Sequence, residues 1–312
     1  MRLRDLLWFA LWGTFSLVTV GCAPTRTAQT TTTDDAITVA SFNFDESQVV
    51  AEIYAQALEG AGFTVHRLSQ VGTRELVIPA MERGLIEIVP EYAGSAVSFL
   101  GGTPTSDEVR THDELSELFG ERAIDVLDAA QAQNHNALVV SDEVAESLSL
   151  RRISDLIPYA AGMTLGGPSE CPERDLCLPG LEDTYHLRFD AFLPLDGGGS
   201  FTAEAIERGT VDIGVMFTTD GVLDEGNLVA LEDDLRLQPA ENLTPLVRED
   251  TIERFGPGLA LALDQVSALL TTDALRTLNG QVSQGADPAE VAHEWLEAHG
   301  STIQDVVAQA GE

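Results

Sequence analysis

A segment of thirteen residues recurs 125 positions further along the chain, and this repeat constrains the fold more than any other feature. Residues 80–92 read AMERGLIEIVPEY and residues 205–217 read AIERGTVDIGVMF, so alanine, glutamate, arginine, glycine and isoleucine return in place, with Asp212 for Glu87. Each copy reads as the end of a helix, a glycine stop, a buried strand and an aromatic residue. Two such units predict two sheets, although two helix–turn–strand units can also resemble each other by chance.

Strand and helix patterns alternate along the chain. Apolar or alternating runs predict strands at 37–41, 63–66, 85–89 and 137–140. Helical spacing predicts helices at 46–60, 73–83, 105–133, 273–282 and 288–299, with a helix-like turn at 154–157. This alternation is typical of mainly parallel sheets flanked by helices, and therefore predicts an α/β fold. Because ligands bind beyond the carboxyl ends of such strands, two facing sheets would form a ligand cleft.

The start of the chain predicts export. Residues 1–21 carry a basic beginning, an apolar run and a small residue before Cys22, which is typical of a lipoprotein signal peptide with Cys22 as the acylated residue. The alternative is an ordinary cleaved signal in which Cys22 is incidental. Residues 22–36 have little to bury and predict a flexible tether. We therefore expect an extracytoplasmic protein that is lipid-anchored to the cell membrane, with no further membrane-spanning segment.

The charge of the chain limits its partners. Its 312 residues carry 51 acidic and 17 basic side chains, for a net charge of −34, and every basic residue is arginine. Removal of the signal peptide takes away Arg2, Arg4 and Asp5, so the mature chain carries −34 − 2 + 1 = −35. This excess argues against nucleic acid or anionic lipid as a partner. Such acidity is compatible with a protein that functions at high salt, where ions screen the repulsion between its own carboxylates.

The other two cysteines lie in one loop that is rich in glycine and proline. Cys171 and Cys177 are the remaining pair once Cys22 is assigned, and a disulfide between them is the default outside the cytoplasm. A zinc site is the weaker interpretation, because no histidine lies nearby in the sequence.

Enzyme signatures do not occur in the sequence. It contains no G-x-S-x-G elbow, phosphate-binding loop, H-E-x-x-H motif or C-x-x-C cluster. The six histidines are scattered along the chain. We expect a binding protein without catalytic residues, metal or cofactor.

Several segments resemble one family in the right order along the chain. They are ASFNFDESQVVAEIYAQALEGAGFTV, VGTRELVIPAMERGLIEIVPEYAGSA, VDIGVMFTTDG, LVALEDDLRLQPAENLTPLV and DPAEVAHEWLEAHG. They resemble the substrate-binding proteins of glycine betaine, choline and related osmoprotectant ABC transporters. The resemblance implies a two-lobed type II periplasmic-binding-protein fold, with lobe 1 at 37–136 and 243–312 and lobe 2 at 137–242. It also implies a monomer that delivers a quaternary amine or zwitterion to an ABC permease.

Members of this family that bind quaternary amines surround the cation with several tyrosines, and here the chain departs from them. Tyr92 matches one of these tyrosines. Asn136 and Ala240 lie near positions where many relatives have tyrosine, and Phe217 replaces another. The resemblance therefore implies a thinner aromatic cage, and a more polar solute such as an amino acid derivative is an alternative ligand.

The candidate ligand-binding residues follow predicted strands or begin predicted helices. They are Asn43, Ser47, Thr73, Tyr92, Ser95, Asn136, Phe217, Thr218, Thr219 and Asp220. Each has another interpretation: the rings can pack in a core, Asp220 with its following glycine can form a turn, and Thr73 can cap a helix. A ligand-binding sensor subunit with the same fold is the alternative function.

Overall fold

The computed structural model describes residues 36–196 and 199–310, the last ten as backbone. The predicted signal peptide at 1–21, Cys22 and the predicted tether up to residue 35 lie outside the described residues. None of the helices in the described part is both long and apolar enough to cross a bilayer.

Ten strands form two five-stranded sheets across the described residues. The first sheet has the order β2-β1-β3-β10-β4 and is built from β1 (Ala36–Ala40), β2 (Thr64–Leu68), β3 (Ile88–Tyr92), β4 (Ile124–Val126) and β10 (Leu243–Arg248). The second sheet has the order β7-β6-β8-β5-β9 and is built from β5 (Asn136–Ser141), β6 (Thr164–Pro168), β7 (Ala191–Leu195), β8 (Ile213–Phe217) and β9 (Leu228–Ala230).

Eleven α-helices accompany these strands in the described ranges. Those between strands are α1 (Asp45–Gly60), α2 (Arg74–Glu82), α3 (Ala93–Phe99), α4 (Glu108–Gly120), α5 (Asp142–Leu148), α6 (Leu178–Tyr185) and α7 (Ser200–Glu207). Those that follow β10 are α8 (Glu249–Phe255), α9 (Pro257–Leu269), α10 (Thr272–Ser283) and α11 (Pro288–Ala310). Apolar clusters cover both faces of each sheet, as the buried strand patterns require.

The two sheets have the same internal plan. Three neighbouring strands run parallel, and the fourth strand, β10 or β5, runs antiparallel to both of its neighbours. The predicted α/β class with mainly parallel sheets is confirmed. The division into lobes at 137 and 243 stays a prediction.

The sequence repeat corresponds to the same structural unit in both sheets. Its two copies contain β3 and β8, and the glycine before each strand has a positive φ, +71° at Gly84 and +65° at Gly209. The Glu87 carboxylate accepts the Thr38 N–H at 2.8 Å, and the Asp212 carboxylate accepts the Thr164 N–H at the same distance. The repeated acid therefore ties the start of each strand to its parallel neighbour.

Two predicted elements were placed wrongly. The sequence predicts the third strand at 85–89, but β3 begins at Ile88 because the turn after Gly84 leaves Leu85 exposed. The helix predicted over 105–133 ends at Gly120, and β4 follows it. The alanine-rich stretch after β4 has good helix propensity, yet Ala130 and Ala132 donate their N–H groups to the carbonyls of Leu243 and Leu270. These tertiary hydrogen bonds override local propensity.

The predicted disulfide is confirmed. Cys171 and Cys177 are bonded, with 5.2 Å between their Cα atoms, and both are buried in the core of the second sheet. The bridge closes the loop directly before α6.

Candidate ligand-binding site

An aromatic surface lies where β3 ends and α1 begins. Tyr92 is the last residue of β3, and Phe44 directly precedes α1. Their ring centroids are 6.0 Å apart, and Phe44 also stacks on Phe42 at the same separation. Tyr92 is only 6% exposed, whereas Phe44 is 40% exposed. The first sheet thus presents Phe44 to solvent, with Tyr92 packed beside it.

The second sheet presents an aromatic side chain at the equivalent place. Phe217 ends β8 and is 37% exposed. Asn136, the first residue of β5, lies directly opposite Phe217 in the antiparallel register, so both side chains share one face. The Asn136 amide donates over 3.4 Å to the Leu176 carbonyl and to Gln238 Oε1.

Two chain segments pass between the sheets beside these aromatic residues. Residues 133–135 lead into β5 and residues 241–242 lead into β10, and the two segments pair through Gln133 and Asn242. Thr218, which follows Phe217, accepts the His135 N–H at its hydroxyl and donates that hydroxyl to the Gln133 carbonyl, both at 3.1 Å. The polar loop after β8 is thereby fixed to one crossing segment.

Glu46, in the first turn of α1, collects three hydrogen bonds although it is buried. Its Oε1 accepts the Tyr92 hydroxyl at 2.5 Å and the Asn134 amide at 2.9 Å, and its Oε2 accepts the Asn279 amide at 2.5 Å. Three donors satisfy a buried carboxylate without a cation. These hydrogen bonds hold the Glu46 carboxylate beside the Tyr92 ring.

An ion pair lies next to the aromatic surface. Arg74, at the start of α2, makes a two-pronged contact with the buried Glu91 carboxylate at 2.8 and 2.6 Å. Its guanidinium also stands over the Phe42 ring, 5.5 Å from the centroid. Because Glu91 already neutralises it, Arg74 adds no net positive charge here.

Two further carboxyl groups have raised pKa values. Burial raises the pKa of Glu241 to about 7, although the Ser95 N–H and hydroxyl donate to it at 3.0 and 2.7 Å and oppose the rise. Burial raises the pKa of Asp220 to about 6, with the Glu46 charge adding to the effect and the Phe217 N–H, 2.8 Å away, opposing it. Both carboxyl groups therefore hold a proton up to a higher pH than an exposed carboxyl group does.

The structure gives the predicted site residues different positions. Tyr92 and Thr219 are joined through Glu46 and Asn279, since the Thr219 carbonyl accepts from Asn279 at 2.8 Å. The Ser47 side chain is buried and accepts the Phe42 N–H at 2.9 Å, so it shapes the loop before α1. Asn43 and Thr73 are exposed where α1 and α2 begin.

Sequence reasoning missed five residues at this site. They are Phe44, Glu46, Arg74, Glu241 and Asn279. Phe44 and Glu46 could have been recognised from the sequence, because an aromatic residue and an acid stand together at the start of the first predicted helix. Asn279 touches Glu46 across 233 positions of sequence, and no local pattern indicates such a contact.

The sequence matches the family described as OpuAC, the substrate binding domain of the ABC-type glycine betaine transport system, over residues 35–298. The chain belongs to this family. Among the relatives of this OpuAC-family chain is the glycine betaine-binding protein YehZ of Escherichia coli K12, 28% identical over 270 residues, which cover 82% of this chain and 88% of the relative. A glycine-betaine-binding protein of Pseudomonas aeruginosa is 27% identical over 278 residues, 85% of this chain and 88% of the relative.

Solved structures agree with this membership at the level of the fold. The crystal structure of a glycine betaine/carnitine/choline ABC transporter protein has a TM-score of 0.79 at 20% identity, covering 85% of this chain and 99% of that one. Apo YehZ from Escherichia coli has a TM-score of 0.73 at 28% identity, with the same coverage. The OpuAC-family chain therefore has the type II periplasmic-binding-protein fold that its sequence implied.

Proposed function

We propose that this protein is the extracytoplasmic substrate-binding protein of an ABC importer and that it captures a small quaternary ammonium solute. In this proposal, lobe 1 (37–136 and 243–312) and lobe 2 (137–242) close on the ligand without catalysing a reaction. The observation that carries it is the placement of Tyr92 with Phe44, and of Phe217, at the ends of equivalent strands. Both ends adjoin the segments on which the chain passes between the sheets.

The chemistry of the site supports a quaternary ammonium head. Such a head has no N–H to donate, and aromatic faces attract it through their quadrupoles. Each desolvated contact of this kind contributes about 2 kcal/mol, whereas micromolar affinity needs about 8 kcal/mol. Two rings are therefore insufficient alone, and the carboxylates of Glu46 and Asp220, which lie near each other, supply further attraction for a cation.

Glycine betaine or a related osmoprotectant is the solute we propose, in line with the names of the relatives. The carboxylate of a betaine would need donors, and Asn43 and Thr73 are candidates beside the aromatic surface of the first sheet. Asn136 favours a second candidate, a more polar solute such as an amino acid derivative, because its amide lies opposite Phe217 where a further ring would complete the cage.

Calorimetry on the mature chain tests this proposal. We expect glycine betaine, or a near analogue such as carnitine or choline, to bind with a dissociation constant of about 1 to 100 μM. Free amino acids serve as controls without a quaternary nitrogen, and we expect them to give no heat at the same concentrations. Binding of an amino acid but of no quaternary amine would overturn the proposal.

Lipid anchoring through Cys22 is the second part of the proposal. It is supported by the apolar run that ends at this cysteine. We expect Cys22→Ser to move the protein from the membrane fraction into the soluble fraction. Retention of the variant in the membrane fraction would contradict anchoring through this residue.

A further inference from the structure

Helix α10 belongs to the core of the first sheet but also reaches the second sheet. Its buried residues Leu275 and Leu278 pack in the apolar cluster that contains α1. On another face, Arg276 donates from Nε to the Thr218 carbonyl at 2.7 Å. The loop after β8 is therefore held by a helix that is anchored in the other sheet's core.

The backbones of this loop and of α10 approach each other closely. A Cβ atom added to Gly221 would lie 2.4 Å from both the N and the Cα of Gly280. Real Cβ atoms do not come so close, so the loop can sit on the helix only with glycine at 221. This contact brings the Thr219 carbonyl within 2.8 Å of the Asn279 amide.

Asn279 uses its side-chain amide for two acceptors. The Nδ2 group donates to Glu46 Oε2 at 2.5 Å and to the Thr219 carbonyl at 2.8 Å, one N–H for each. A flipped amide would turn its oxygen toward a carboxylate and a carbonyl, and neither of these can donate. The orientation of the amide is therefore fixed by its two partners.

These hydrogen bonds form a continuous path between the two aromatic sides of the site. The path runs from the Tyr92 hydroxyl through Glu46 and Asn279 to the Thr219 carbonyl, two residues after Phe217. Two of its three links end on the Glu46 carboxylate, and hydrogen bonds to a carboxylate are strong and geometrically demanding. A change in Asn279 would thus act on both sides at once.

We propose that Asn279 is a positioning residue that sets Tyr92 and Phe217 relative to each other for ligand binding. This inference rests on the proposed function, because it concerns the same aromatic site. Asn279 does so through Glu46 on one side and through the backbone of the loop after β8 on the other.

Asn279→Asp tests the path with nearly unchanged shape. The variant loses both donors and places a carboxylate against Glu46, so we expect the dissociation constant for glycine betaine to rise about tenfold or more. Gln281→Glu makes the same amide-to-carboxylate change at an exposed position of α10, and we expect it to alter binding by less than about twofold. Equal binding by wild type and Asn279→Asp would overturn the inference.

A double variant separates positioning from a general structural role. In Glu46→Gln/Asn279→Asp, the amide introduced at position 46 can donate to the carboxylate introduced at position 279, so the link is restored with reversed polarity. We expect this variant to bind glycine betaine roughly fivefold more tightly than Asn279→Asp does. If the effects of the two single changes simply add, Asn279 does not act through Glu46 and the inference fails.

Amide hydrogen exchange gives a readout that needs no ligand. We expect the amides of residues 217–221 to exchange faster in Asn279→Asp than in wild type or Gln281→Glu, because the loop loses one of its attachments to α10. If wild type does not bind glycine betaine, the proposed function fails, and the exchange of this loop still decides the inference. Unchanged exchange in Asn279→Asp would overturn it.

Discussion

Tyr92 combines two roles in one side chain. Its ring packs beside the exposed Phe44, and its hydroxyl anchors it to Glu46. We expect Tyr92→Ala to weaken the binding of glycine betaine at least about tenfold, since a desolvated cation–π contact contributes about 2 kcal/mol. Phe217→Ala should weaken this binding somewhat less. Calorimetry measures both effects.

Tyr92→Phe is the matched control, because it keeps the ring and removes only the hydroxyl. We expect its affinity to lie between those of wild type and Tyr92→Ala. Near-ultraviolet circular dichroism checks that each variant is folded. A folded Tyr92→Ala protein that binds as tightly as wild type would exclude Tyr92 from the site.

The raised pKa of Glu241 predicts that the stability of the protein depends on pH. Its pKa is about 7 in the folded protein against an ordinary value of 4.5, so the folded state holds this proton more tightly than the unfolded state. The resulting stabilisation is complete below about pH 4.5 and is lost as the pH rises through about 7. Glu241→Gln cannot ionise and should lose less stability over this interval.

Thermal unfolding at constant ionic strength measures this difference. Between about pH 5 and pH 8 the midpoint of wild type should fall by about 5 °C more than that of Glu241→Gln, which corresponds to roughly 2 kcal/mol. Glu117→Gln removes the same charge from an exposed position and should follow wild type. Parallel curves for all three proteins would show that Glu241 does not carry the pH dependence.

Part of the site could be predicted residue by residue from the sequence, for a physical reason. Tyr92 and Phe217 end equivalent strands in the repeat, and a local pattern of that kind is readable along one stretch of chain. Asn279 meets Glu46, and Glu241 meets Ser95, only after the chain has passed through the second sheet and turned back. Their contacts depend on tertiary placement, which no spacing in the sequence specifies.

The two copies of the repeat show which sequence patterns predict strands and turns well. The buried strands β3 and β8, with the glycine turns before them, follow from local chemistry that operates twice. Strand β4 was hidden inside a predicted helix, because three residues at a sheet edge carry too little periodicity. Its conformation is imposed by pairing with β10.

The disulfide should contribute to the stability of the protein. The bridge spans six positions and stabilises the protein by about 2 kcal/mol in the chain-entropy model. We expect Cys171→Ala/Cys177→Ala to lower the thermal midpoint by roughly 5 °C. The Leu176 carbonyl within this loop accepts a hydrogen bond from Asn136, so the variant can also change the affinity for glycine betaine. We expect this change in affinity to be smaller than that caused by Tyr92→Ala. Scanning calorimetry measures the midpoint.

Reduced wild type is the control for this variant. It should unfold at about the same temperature as the double alanine protein, because both lack the same cross-link. A midpoint for the double variant equal to that of oxidised wild type would show that the bridge does not contribute to stability.

In the molecule as a whole, the path of the chain determines where the site lies. Strands β5 and β10 carry the chain into one sheet and back into the other, and they begin opposite Phe217 and Tyr92. The crossing segments therefore pass directly beside the aromatic residues. Any rotation of one sheet relative to the other about these segments changes the distance between the two rings, which is what a protein that closes on its ligand requires.

The net charge of −34 acts on the molecule as a whole. With 51 acidic and 17 basic side chains, most carboxylates have no arginine available as a partner, so mutual repulsion opposes the compact state. Sodium chloride screens this repulsion, and the Debye length falls from about 10 Å at 0.1 M to about 3 Å at 1 M. We therefore expect the midpoint of thermal unfolding to rise with sodium chloride, steeply at first and then towards a plateau. Sucrose, which stabilises by exclusion from the surface, should give a rise without this plateau. A midpoint that stays flat or falls between low and molar sodium chloride would show that charge repulsion does not limit the stability of this protein.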